Sequence, residues 1–340
     1  MTTNQDQESV RLASCKDPLK SMKRAYRKCG FAFFALSLFL TLLVPVLFFL
    51  VSLLEQHGIG ISAVFNEYLL FFNEAIILLA ILVGALFLIG LPKSAPERRP
   101  VSFKLVAVLF PIAVAFGTVG SIVSNFWTSL WDMIVGVQVE DTLTEAMTAT
   151  TVWQMVICVG ILAPIIEEFF FRKLLIDRLH THSEPIAILT SGLFFALFHG
   201  NLNQFFYTFG IGLLLAYLYC KTGSYLTVVL FHSAFNFFSG IIPLLLSQAV
   251  VSVENGIDAL PLYEQLSLIS TSRLSLLYVF ISMGVSVLGI VFFIRFVKRA
   301  KFTKTPDILT PEQRAKATLL NVGIIAACAL NLFILIRSLL

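Results

Sequence analysis

At 340 residues, with 58% of them hydrophobic, only 13% charged and a mean hydropathy of +0.89, this chain carries more apolar surface than a soluble core can hide; soluble domains sit near ~45–50% apolar and ~25% charged. The net charge of +4 does not imply a nucleic-acid partner, because the basic residues gather beside apolar runs rather than forming a stripe of their own. A multi-pass membrane protein in contact with the lipid bilayer is the class that remains.

Backbone polar groups inside lipid must be satisfied within the chain, and continuous apolar runs of about 20 residues select helices over the alternating strands of a barrel. The sequence thus predicts an all-α, polytopic transmembrane helix bundle of about 8–9 spans. Nine candidate spans follow in chain order at residues 31–54, 68–91, 103–123, 151–166, 186–199, 205–220, 226–246, 274–296 and 318–339. The first run is too long for a signal-peptide core and lacks a small-residue cleavage site, so it reads as a retained helix. Lys and Arg fall on alternate connections, at 16–28, 93–104, 172–178, 221 and 295–316. This bias places the N-terminus on the cytoplasmic side of a cell membrane.

The chain divides into a basic N-terminal segment (1–30), a first set of membrane helices (31–149), a central core (150–246), and an external loop with the last helices (247–340). The stretch 247–273 reads as a cap of unassigned role. Cys15, Cys29, Cys158, Cys220 and Cys328 form no C-x-x-C pair and read as packing residues rather than a disulfide framework or a thiolate metal site.

Chemistry concentrates in the core. Glu167 and Glu168 stand in an otherwise apolar run that reaches to Arg172, and a charge at membrane depth costs at least ~2.5–3.5 kcal/mol unless it is paired or wet. Glu168 and Arg172 are four residues apart and share a helix face, which makes them a structural pair. Glu167 lies about 100° round the helix from Glu168, outside that pairing, and is the better candidate for a free carboxylate. His199 ends one apolar run and His232 lies inside another, with Asn236 one turn beyond it. His57, His180 and His182 read as solvated loop residues.

A carboxylate beside a neutral imidazole can take a proton from water, and His or Asn donors can stabilise the oxyanion that forms when the water attacks a carbonyl. Glu167, His199 and His232 could alternatively hold zinc with an open position for water, although no H-E-x-x-H is present. The cofactor expectation is therefore none, or zinc. Two other functions compete with hydrolysis. One is a non-catalytic immunity or scaffold protein that keeps these residues for packing. The other is a proton-coupled transporter using them as a relay, for which paired halves with broken helices are lacking.

Three short motifs occur in order: E-E-x-x-x-R at Glu167, Glu168 and Arg172; F-x-x-x-H at Phe195 and His199; and H-x-x-x-N at His232 and Asn236. In this the chain resembles the CPBP family of CAAX proteases and bacteriocin-processing intramembrane endopeptidases, over residues 152–246. The resemblance implies a polar cavity open to the cytoplasmic side, in which Glu167 and His199 activate water and His232 and Asn236 form the oxyanion site. Glu168 and Arg172 would brace the helix, with Phe195 in support, and the partner would be a peptide or membrane-protein substrate. Eukaryotic relatives cleave after a prenylated cysteine; bacterial ones are linked to peptide maturation or self-immunity. One mismatch follows from the spans: Glu167 and His232 fall near the cytoplasmic ends of theirs, whereas His199 comes about 20 Å along its own. The expected resolution is that the fifth helix starts well outside the membrane.

Overall fold

The computed structural model describes residues 17–136, 150–251, 262–303 and 309–339; Cys15, much of the 125–150 connection and the centre of the 247–273 stretch lie outside them. These residues build an all-helical bundle with no strand among them. Its helices are α1 (Pro18–Gln56), a short α2 (Ser62–Glu67), α3 (Leu69–Leu86), α4 (Phe103–Val135), α5 (Val152–Leu179), α6 (Glu184–Phe198) and α7 (Leu202–Thr222). They continue with α8, which runs through Tyr225–Asn236, Phe237–Ile241 and Ile242–Val251, then α9 (Leu262–Arg299), α10 (Pro311–Thr318) and α11 (Val322–Arg337). Among the described residues, seven helices are long and apolar enough to cross a membrane, or eight if α10 and α11, bent by 54°, count as one span. The expected fifth span is instead the 15-residue α6, about 22 Å long and too short to cross a ~30 Å hydrocarbon core.

Two further expectations change. The fourth helix does not end at residue 166, because α5 runs on to Leu179 and the predicted basic loop at 172–178 is helical. The 247–273 stretch is helical as well on both sides of its undescribed centre, where α8 reaches Val251 and α9 starts at Leu262. In α5 polar residues interrupt the apolar run without breaking the helix, and Ser247, Gln248, Glu264 and Gln265 are likewise helical, since hydropathy reports lipid contact and not backbone conformation.

The long α1 begins with Asp17, whose side chain accepts a hydrogen bond from the Lys20 amide at 2.9 Å, and with Pro18 in its first turn; both are favoured at a helix start. Its 39 residues span about 58 Å, so the basic first half projects past the ~30 Å of hydrocarbon. There the Lys28 ammonium donates to the Ile89 carbonyl at 2.5 Å, just beyond the C-terminal end of α3, the end of a helix that favours a cation. Backbones of α1 and α11 meet at Gly30 and Gly323, where a Cβ on either would collide with the other helix. Small residues permit such close crossings in a membrane. Ser37 and Asn331 extend this seam with a buried hydrogen bond of 3.0 Å.

One end of the bundle collects the basic connections. The Ser94 amide bonds the Asp177 carbonyl at 2.7 Å, Lys221 pairs with Glu184 at 2.5 Å, and the Thr303 amide reaches the same Glu184 at 3.2 Å. Asp177 also takes Lys173 at 2.9 Å and the Tyr219 hydroxyl at 2.7 Å. These contacts fix the near ends of α5, α6 and α7 at one level, from which depth toward the site can be counted.

Candidate active site

The two π-helical stretches of α5, Cys158–Leu162 and Phe169–Ile176, flank the glutamates. Wide turns of this kind inside α-helices commonly mark functional positions. The first has a visible cause and a visible repair. The Ala163 amide donates to Cys158 O, five residues back, so the next donor in that ladder would be residue 164, which is proline and has no N–H. The Val159 carbonyl is left over, and Asn236 Nδ2 on α8 donates to it at 2.9 Å. One amide hydrogen of Asn236 is thereby committed to holding α8 against α5, and the second remains.

Glu168 is fully buried and forms the anchor. Arg172 Nε donates to it at 2.7 Å and Nη2 at 3.4 Å; Arg172 Nη1 also donates to Ser191 Oγ on α6 at 2.5 Å, and Ser191 passes its own hydrogen to the Phe171 carbonyl at 3.1 Å. The guanidinium lies 5.4 Å from the centre of the Phe195 ring. The i, i+4 pairing read from the sequence is thus present, and Ser191 is a partner that sequence reasoning missed.

His232, 4% exposed, stands between the two glutamates. Its Nδ1 contacts Glu168 Oε1 at 3.0 Å, while Nε2 faces Glu167 Oε2 at 3.9 Å, beyond hydrogen-bond range. Because Glu168 is paired with an arginine, Nδ1 acts as the donor and Nε2 is the nitrogen turned to the site; it carries a hydrogen only when the ring is an imidazolium. Phe195 packs edge-on against both imidazoles, with centroids 5.6 Å from His232 and 5.0 Å from His199. His199 Nδ1 lies 2.7 Å from the Phe195 carbonyl. A carbonyl only accepts, so the hydrogen sits on Nδ1 and the Nε2 lone pair of neutral His199 is open. Glu167 takes no hydrogen bond from any described residue; among them only His232, with Nε2 3.9 Å from Oε2, comes within ion-pair range.

The depth mismatch disappears. α5 continues twelve residues past Glu167, to Leu179, so Glu167 is itself deep in the bundle rather than at a span's end. Arg172 meets Ser191, His232 meets Phe195, and His199 follows one turn later. Glu184, the first residue of α6, is buried and paired with Lys221 at the end of the bundle that collects the basic connections. The other loop histidines also differ from expectation. His180 bonds the Ile176 carbonyl at 3.0 Å, and His182 is half-buried, with its imidazole pushed down to about 4 by burial and by like charge from His180.

Glu167, His199 and His232 do not make a ready ion-binding set: among the described residues no three His, Cys, Asp or Glu side chains are grouped to hold a metal. Glu168 and the Phe195 carbonyl turn the two imidazoles so that each is held by its Nδ1 edge. Cys29, Cys158, Cys220 and Cys328 are free thiols.

Glu74, on α3, is a second omission from the sequence reading. It is buried at 7% exposure, and its Oε2 has no hydrogen-bond partner among the described residues. Its signal was present in the sequence as a lone acid inside an apolar run.

Residues 149–238, which contain every one of the motif residues, match the family described as "Type II CAAX prenyl endopeptidase Rce1-like". Over that segment the chain is similar to CAAX-protease-family proteins. The matched segment covers α5, α6, α7 and the first part of α8, while α1 to α4 and α9 to α11 lie outside it. No curated protein and no solved structure matches the chain. The match supports a protease-type enzyme of the membrane, and all the motif residues lie within the matched segment.

Proposed function

We propose that this chain is an intramembrane endopeptidase that hydrolyses a peptide bond in a peptide or membrane-anchored protein through a Glu167- and His199-activated water. The observation that carries this reading is the division of labour around His232. Glu168, Arg172 and Ser191 satisfy each other in a closed, fully buried network, while Glu167 and the Nε2 atoms of both histidines take no hydrogen bond from a described residue and Phe195 packs against both imidazoles. A packing network has no reason to leave three such groups unsatisfied together.

In the reaction, water attacks the carbonyl carbon and gives its proton to Glu167 or to the open Nε2 of His199. The carbonyl oxygen becomes an oxyanion. Nε2 of His232 donates to it when the ring carries its second proton, and the spare amide hydrogen of Asn236 is the second donor. Collapse breaks the C–N bond, and the proton first taken from water passes to the leaving amine. Every step uses groups of this chain.

The family's substrate class, a polypeptide ending in a prenylated cysteine motif, is the first to test. Purified protein in lipid vesicles is given such a peptide and its unprenylated counterpart, with products identified by mass and the metal content of the same sample measured. Cleavage of either peptide supports the reading, and the ratio between them defines the substrate. If neither is cleaved and labelled solute instead accumulates in the vesicles, the relay reading replaces it.

A further inference from the structure

Ser191 belongs to none of the three motifs, yet it is fully buried on α6, ahead of the F-x-x-x-H pair. It stands four residues before Phe195 and eight before His199, so the three lie along one stripe of the helix. Beside it, a Cβ on Gly192 would stand 2.7 Å from the Leu213 side chain of α7. Close packing thus holds α6 on α7, and the Ser191 hydroxyl holds it on α5. The direction of both Ser191 hydrogen bonds is fixed, because a guanidinium only donates and a carbonyl only accepts. Arg172 Nη1 gives a hydrogen to Oγ at 2.5 Å, and the single hydroxyl hydrogen goes to the Phe171 carbonyl at 3.1 Å.

Nη1 is the one guanidinium nitrogen that does not face Glu168. Pinned there, Arg172 meets the carboxylate unevenly: Nε reaches Oε2 at 2.7 Å, whereas Nη2 stays 3.4 Å from Oε1, well outside the ~2.7–2.9 Å of a charge-assisted bond. Oε1 is the oxygen that His232 Nδ1 contacts at 3.0 Å. An untethered guanidinium would close on both oxygens as a fork and draw Oε1 away from the imidazole.

We propose that Ser191 is a positioning residue for His232: by holding Arg172 on Oε2 it reserves Glu168 Oε1 for His232 Nδ1, and so fixes where Nε2 of that ring points in the site. The same hydroxyl ties the Phe171 carbonyl of α5 to the stripe of α6 that ends in His199. The inference rests on the endopeptidase reading and adds to it a residue from outside the motifs.

The test compares Ser191→Ala, Ser191→Thr and Glu167→Gln with the wild type in peptide cleavage, thermal unfolding and proton NMR of the histidine ring N–H groups, with His232→Gln identifying the His232 signal. Well below the Tm of each protein, Ser191→Ala is expected to lower kcat by about 10–100-fold, the cost of a small misplacement of a reacting group, with KM unchanged. Ser191→Thr, which keeps the hydroxyl, recovers most of that loss; if it does not fold, Ser191→Ala decides alone. Wild-type kcat in Ser191→Ala beside an inactive Glu167→Gln overturns the role of Ser191 and leaves the endopeptidase reading standing. A lowered Tm with kcat and the His232 signal unchanged also overturns it, since packing alone then explains the residue. The NMR arm needs no substrate: the His232 Nδ1–H resonance moves in Ser191→Ala and returns in Ser191→Thr. If the wild type cleaves no peptide, the endopeptidase reading fails and this resonance still decides the positioning. A signal that Ser191→Ala does not move overturns the proposal.

Discussion

Replacing Arg172 by methionine removes the only arginine that pairs with Glu168 and keeps most of the side-chain volume. In the native protein both groups are fully buried, joined at 2.7 Å and 3.4 Å, with Ser191 and His232 as the remaining partners. Breaking one side of a buried pair costs ~3–5 kcal/mol because the other charge stays behind uncompensated. Taking out both charges costs far less. Glu168→Gln added to Arg172→Met leaves an amide oxygen to accept from His232 Nδ1, so the double variant should regain most of the loss, to within ~1–2 kcal/mol of wild type. Denaturant or thermal unfolding in mild detergent gives the stabilities, and peptide cleavage gives the activities. The double variant is expected to be stable and slow, because a neutral amide oxygen holds His232 Nδ1 less firmly than the carboxylate does. A loss below about 1 kcal/mol for Arg172→Met, typical of an exposed pair, would refute the view of this cluster as a buried brace.

Three other outcomes follow from the geometry. Asn236→Ala leaves the Val159 carbonyl without its donor and should cost about 1–3 kcal/mol; adding Pro164→Ala returns an N–H to that turn and should restore part of the stability but not the activity, measured in the same unfolding and cleavage assays. Neutral His182 is favoured by the fold, with its pKa lowered from 6.5 to about 4. The unfolded chain therefore binds a proton at higher pH than the folded one, and stability should fall as pH drops from 6.5 toward 4 and be unaffected above it. His182→Gln should flatten that slope in unfolding measured across the range. His199→Ala removes an open imidazole nitrogen and is expected to lower kcat by roughly 10²–10⁴-fold with little change in Tm.

Much of the site was legible because membrane burial makes polar residues conspicuous. Glu167, Glu168, Arg172, His199, His232 and Asn236 stand out in apolar runs, and the four-residue spacing of Glu168 and Arg172 already implied their pairing. Glu74 stands out in the same way, yet no motif draws attention to it, and its burial depends on how α3 packs against its neighbours. Ser191 is unremarkable in sequence; only its place opposite Arg172 gives it a role. The reach of α5 to Leu179 was hidden because Arg172, Lys173, Asp177 and Arg178 resemble a loop to hydropathy, whereas in the fold they bond Glu168, Ser191, Tyr219 and a helix carbonyl, with Arg178 Nε alone left over among the described atoms of these four. That single misreading produced the apparent depth conflict between Glu167 and His199.

The central claim is that Glu167 is the acceptor of the water's proton. Glu167→Gln keeps the size and polarity of the side chain and removes its basicity, so single-turnover cleavage of a peptide by the purified variant isolates that role. The account predicts a rate at least ~10²-fold below wild type, with KM and Tm unchanged. Cleavage by Glu167→Gln at the wild-type rate would contradict it.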